Sequence, residues 1–133
     1  MTTRASGSFE VKLSPQEPDD ASIASIGRLL IDKQFHGDLE ATSQGQMLSA
    51  MSGVQGSAGY VAIEQVSGTL RSLQGTFVLQ HTGIMARGAP QLTITVVPDS
   101  GTGQLVGLTG KMAIKIVDGQ HSYDFEYEFA EQS

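Results

Sequence analysis

Three ionisable residues stand where an alternating apolar pattern calls for a hydrophobe. Counting by twos from Leu29 through Ile31 to Phe35 passes Lys33, from Tyr60 through Ala62 to Val66 passes Glu64, and from Phe77 through Leu79 reaches His81. A Glu and a His on one apolar face make an acid–base couple whose pKa values burial and mutual charge would shift. A Lys on that face serves as the carboxylate's counter-ion or orients the polar end of a ligand, because an unpaired charge in an apolar interior is costly. The last apolar face carries His121, Tyr123 and Tyr127, and Tyr60 precedes Glu64 on its own. The catalytic candidates are therefore Glu64 and His81. The ligand-binding candidates are Lys33, Glu64, His81, Tyr60, His121, Tyr123 and Tyr127. The competing reading is a buried ion pair that satisfies its own polar atoms, with the tyrosines as core aromatics whose hydroxyls are hydrogen-bonded.

Other chemistries find less support. With no Cys, the chain has no disulfide, thiolate metal site or Cys nucleophile. Its three His sit at no close ligand spacing, and His36 belongs to a turn, so no metal site and no cofactor are expected. Gly101-Thr102-Gly103-Gln104-Leu105-Val106-Gly107 superficially resembles a dinucleotide loop, but a strand-like segment follows it where a phosphate site needs a helix N-terminus. Gly110-Lys111 lacks the upstream Gly and the following Ser or Thr of a phosphate loop.

Period-two alternation sets the elements that must hold these side chains. Phe9, Val11 and Leu13 share a face; a loop follows at Gln16 to Asp20, and a long strand at about Ile23 to His36. Another strand starts near Leu39. Residues Gly45 to Gly59, with Met47, Leu48, Ala50 and Met51, fit a strand end, a helical turn or a flap. Beyond them Tyr60 to Leu70, Thr76 to Ala86, Gln91 to Val97, Leu105 to Val117 and His121 to Phe129 all read as strands. Asp118-Gly119 signals a type I′ hairpin, which sets Ile116 opposite His121, Ile114 opposite Tyr123, Met112 opposite Phe125, and Lys111 opposite Glu126 on the outer face. Gly88-Ala89 suits a second two-residue turn, pairing Arg87 with Pro90 and His81 with Val96. With Ser72-Leu73 as a third, Glu64 falls opposite His81.

Eight strands, no convincing helix and sixteen Gly at turn spacing predict an all-β fold: a closed or nearly closed antiparallel barrel of about eight strands. The strand around Phe9 to Leu13 should pair with that around His121 to Phe129, leaving no long bare edge. The 133 residues suit one domain, with residues 1–7 a flexible lead. Hydrophobic residues make up 39% and charged residues 17%, which excludes disorder, and no apolar run approaches the ~20 residues of a membrane helix. A net charge of −6, with basic residues scattered singly, argues against nucleic acid as a partner. No signal peptide is evident, so the expected location is cytoplasmic, with no membrane partner. Self-association stays open.

Phe35-His36-Gly37-Asp38-Leu39-Glu40, Tyr60-Val61-Ala62-Ile63-Glu64, Gly75-Thr76-Phe77-Val78-Leu79-Gln80-His81 and Val97-Pro98-Asp99-Ser100-Gly101-Thr102-Gly103 carry a resemblance. In order, from about Phe9 to Phe129, the chain resembles an uncharacterised bacterial family, domain of unknown function 3224, which is similar in fold to the barrel of plant allene oxide cyclase. Ala41 and Gln104 stand where that family has Gly and Glu. The resemblance implies a cavity lined by one strand face, like the one in which the cyclase holds an apolar, fatty-acid-derived substrate. No stretch matches the cyclase's own active-site pattern, so no catalytic residue carries over.

Three functions follow from these readings. The first is a barrel that binds a small, largely apolar ligand in its interior, oriented by the inward polar residues. The second is a cofactor-independent isomerase- or cyclase-like enzyme with Glu64 and His81 as acid and base. The third is a structural or oligomeric module with a packed interior.

Overall fold

Alternation along the chain folds, in a computed structural model describing residues 2–17 and 26–130, into eight antiparallel strands. They are β1 (Thr3–Gln16), β2 (Ile26–Gly37), β3 (Leu39–Met51), β4 (Ala58–Leu70), β5 (Leu73–Ala86), β6 (Ala89–Val96), β7 (Leu108–Val117) and β8 (Gln120–Phe129). Each strand pairs with the next, and β1 pairs with β8, so the sheet closes into a barrel. The closing ladder runs from Thr3 opposite Tyr127 to Phe9 opposite His121. β1 thus begins at Thr3, inside the stretch expected as a flexible lead over residues 1–7. Beyond Phe9, β1 pairs with β2 alone.

The open question at residues 45–59 resolves as the end of β3, a short connection, and the start of β4. The expected start of β2 at Ile23 lies outside the described residues, and β1 runs through Gln16, into the expected loop. Leu105 is not in a strand: it ends a short 3-10 turn, Gly103–Leu105, and is buried at 1% exposure, so β7 begins only at Leu108.

Turn chemistry fixes register. Asp118 (φ 51°) and Gly119 (φ 78°) both take the left-handed backbone of a type I′ turn, and the β7–β8 ladder pairs as expected, Lys111 with Glu126 included. The other two turns lie one residue earlier than expected. Arg71 (φ 44°) and Ser72 (φ 71°) turn β4 into β5, and Arg87 (φ 50°) and Gly88 (φ 90°) turn β5 into β6. Each partner therefore slips by two residues: Glu64 faces Leu79, Ala62 faces His81, and His81 faces Ile94. A two-residue slip keeps every side chain on its face. The early β4–β5 turn lets Leu70, fully buried, pair with Leu73 inside the barrel.

The interior is packed at one end and not at the other. Around the chain ends and the β2–β3 and β4–β5 turns, Phe35, Leu39, Leu70, Phe77, Leu105, Leu108 and Phe125 form the buried core. The Phe77 and Phe125 rings stack 5.9 Å apart, and Phe35 meets Tyr123 edge-on at 5.5 Å. Towards the β3–β4, β5–β6 and β7–β8 turns, the inward side chains of the described residues leave a mouth.

Candidate functional site

Between the packed end and the mouth lies a buried ionic cluster. Lys33 on β2, Glu64 on β4 and His81 on β5 point inward with exposures of 5%, 0% and 4%. The Lys33 ammonium lies 2.9 Å from Glu64 Oε2 and 3.2 Å from Oε1. His81 Nε2 is 2.9 Å from Oε2, and Ser43 Oγ donates to Oε1 at 3.1 Å. Glu64 and His81 thus meet diagonally, one inward position apart along β4 and β5, not directly opposite as the later turn would have placed them. Lys33 also lies over two aromatic faces, 5.0 Å from the Phe9 centroid and 5.3 Å from that of Phe35.

The backbone makes room for this carboxylate at Gly45, directly opposite Glu64 on β3. A Cβ there would sit 2.1 Å from the Ile63 carbonyl oxygen and 2.8 Å from Glu64 Cβ. Burial alone would raise the pKa of Glu64. The hydrogen bond with His81 and the charge of Lys33 outweigh it and hold the carboxyl below the ordinary glutamate range. With Glu64 ionised, His81 donates from Nε2, and both carboxylate oxygens already carry two partners each.

Above the cluster opens a cavity of about 520 Å³. Its walls include Met47 and Met51 on β3, Tyr60 on β4, Met85 on β5, Leu92 on β6 and Ile116 on β7. The Tyr60 ring lies 6.3 Å from that of His81. It packs against Gly83, where a Cβ would run into the ring. Burial, and then the Glu64 charge, push the Tyr60 hydroxyl up from its ordinary pKa. That hydroxyl takes no hydrogen bond among the described residues, whereas no fully buried side-chain polar atom among them lacks a partner.

The remaining candidates lie elsewhere. Tyr123 is 2% exposed in the packed end; its hydroxyl accepts from Leu39 N at 2.9 Å and donates to the His36 carbonyl, also at 2.9 Å. Tyr127 stacks on Phe125 at 5.3 Å in the same core. His121 packs on Phe9, ring centroids 5.1 Å apart. Sequence reasoning missed Ser43 and the methionine-rich wall. Parity would have revealed both had residues 45–51 been read as a strand, since Ser43, Met47 and Met51 then share a face with Ala41. Among the described residues, no three His, Asp or Glu cluster to hold a metal ion. No helix of theirs is long and apolar enough to cross a membrane.

A family model described as "Protein of unknown function (DUF3224)" matches residues 5–127. A solved structure, the crystal structure of a protein with unknown function from the DUF3224 family of Shewanella oneidensis MR-1, is similar over 99% of this chain and 100% of that one. The two are 52% identical, with a TM-score of 0.93. No curated protein matches the chain.

Proposed function

The chain belongs to the DUF3224 family, which brings a fold and no activity, and from its own geometry we propose that it binds a small, uncharged, largely apolar molecule in the mouth of the barrel. The observation that carries this reading is the 520 Å³ cavity walled by Met47, Met51, Met85, Leu92 and Ile116, with the free Tyr60 hydroxyl as its polar point. Small-molecule sites commonly enclose ~300–1,000 Å³ of mostly apolar wall with a few polar groups that fix orientation. Methionine walls adapt to ligands of differing outline. The charge balance of the Lys33–Glu64 pair beneath the cavity supports an uncharged ligand.

In this reading the ionic cluster is the floor and not the reagent. A general base needs a free lone pair within reach of a substrate and a pKa near the working pH. The Glu64 oxygens are fully engaged and its pKa is lowered, so in the isomerase-like alternative the base would have to be His81 Nδ1, with Glu64 only orienting the ring through Nε2. Thermal-shift titration with 1-decanol and 1-naphthol tests the proposal. Both should stabilise the wild type, and Met47→Lys should abolish the effect by placing a charge in the wall. Tyr60→Phe should weaken it by the ~0.5–1.5 kcal/mol of one hydrogen bond. Absence of stabilisation by either alcohol, or stabilisation that ignores both variants, refutes it.

A further inference from the structure

The charges on the outside of this barrel are unevenly distributed, and among the strand residues of β3 to β5 the one outward charge is Glu40, at the start of β3. The outward positions of β7, β8, β1 and β2 include Arg4, Glu10, Lys12, Lys111, Asp124 and Glu126. On the other side, the outward positions from Thr42 to Ala50 on β3, Gly59 to Thr69 on β4 and Gln80 to Ala86 on β5 hold no charged residue at all. In a chain with 22 charged residues, such a stretch of three adjacent strands needs a reason.

Aliphatic side chains occupy its centre. Leu48 (47% exposed), Val61 (50%), Ile63 (49%) and Ile84 (55%) lie on neighbouring strands, with Leu48 directly opposite Val61. Gln44, Gln46, Gln65, Gln80 and Thr82 surround them as an uncharged polar rim. A shallow hollow at Gly59 runs between Ile26, Leu48, Val61 and Ile84. An aliphatic centre depleted of charge inside a polar rim is the composition of a protein–protein interface. Soluble proteins rarely leave an apolar patch of this kind open to water.

We propose that this β3–β4–β5 outer face is the contact between two copies of the chain, related by a two-fold axis. A partner selected by charge has nothing here to hold, whereas an uncharged face matches itself. A two-fold contact sets the same patch against itself and requires such self-complementarity. The β3–β4–β5 face presents fifteen outward residues, bordered on β2 by Ile26, Arg28 and Leu30, against the roughly 20–30 a side of a standard interface. The net charge of −6 does not prevent the contact, because Glu10, Asp124, Glu126 and Glu128 lie around the far wall of each barrel, where salt screens them over ~10 Å, and only Asp32 and Glu40 border the face. The ligand site in the mouth adjoins this face and shares Ala50, Gly59 and Ile84 with its edge, whereas Gln46, Ile63, Gln65 and Gln80 do not line that cavity, so the two readings can be tested apart.

Analytical ultracentrifugation of the full chain over a wide range of concentration decides the matter. The wild type should sediment at twice the 14.1 kDa of one chain. Ile63→Glu should raise the dissociation constant about a hundredfold while circular dichroism stays unchanged, and Lys115→Glu on the far wall should leave it alone. Because the chain has no Cys, single Gln46→Cys, Gln65→Cys and Gln80→Cys variants provide a check that spares the apolar centre. A short bis-maleimide should join at least one of them into a dimer, and Glu128→Cys should stay single. A chain monomeric throughout overturns the proposal, as does a dimer indifferent to Ile63→Glu. So does a monomer that binds neutral phosphatidylcholine vesicles through this face.

Discussion

Glu64 is the residue on which the interior depends, because it holds Lys33, His81 and Ser43 together while fully shielded from water. Removing its charge alone leaves the Lys33 ammonium buried without a counter-ion, so Glu64→Gln should lower stability by about 3–5 kcal/mol in urea denaturation. Pairing it with Lys33→Met removes both charges, and a double-mutant cycle should recover much of the loss. The lowered pKa adds a pH signature. The folded chain binds the Glu64 proton more weakly than the unfolded chain does at its ordinary value of 4.5. This stabilisation is therefore present above that value and drains away as pH falls through the folded one. Urea midpoints measured from pH 7 downwards should fall less steeply in Glu64→Gln. At Gly45 a Cβ would run into backbone, so Gly45→Ala should cost about 1–3 kcal/mol. Lys33, Glu64 and His81 were legible in the sequence because parity alone aims a side chain. Their diagonal meeting was not, because it depends on which residues turn the chain.

Those turns show where local reading stops. Asp118-Gly119 was legible because both residues tolerate positive φ and the aromatic alternation of β8 admits a single register. Arg71 and Ser72 are poor local candidates for the same geometry. Arg71 is held there from afar: its guanidinium reaches Asp38 Oδ2 at 3.0 Å and the Arg4 carbonyl at 2.7 Å, and its amide donates to the Asp38 carbonyl at 2.9 Å. Such partners are set by the closed barrel and cannot be read from neighbours in sequence. The β7–β8 hairpin yields a contrast between two variants. Gly119→Val forces a β-branched residue into the left-handed region and should cost about 1–3 kcal/mol. Lys111→Ala should change stability by at most about 0.5 kcal/mol, because Glu126 opposite it is engaged by Arg4 and the site is exposed. Equal urea midpoints for the two variants would contradict the register.

For the molecule as a whole, alternation and turn spacing sufficed for an eight-stranded closed barrel, because both ends of the sheet offered amphipathic strands able to pair. The mouth was illegible, since periodicity says which way a residue points and not how much space its neighbours leave. Seven of the eight ladders join strands consecutive in the chain; only the ladder between β1 and β8 joins residues more than a hundred positions apart. This sets an order on biosynthesis. As the polypeptide leaves the ribosome, β1 to β7 can zip onto one another in turn, each from a nearby partner. Until β8 has emerged, the growing sheet keeps the free edge of β1 open along Thr3 to Phe9, on the first strand of the barrel to be made and the one left waiting longest. A nascent barrel of this kind is most exposed to aggregation in the moments before its last strand is translated.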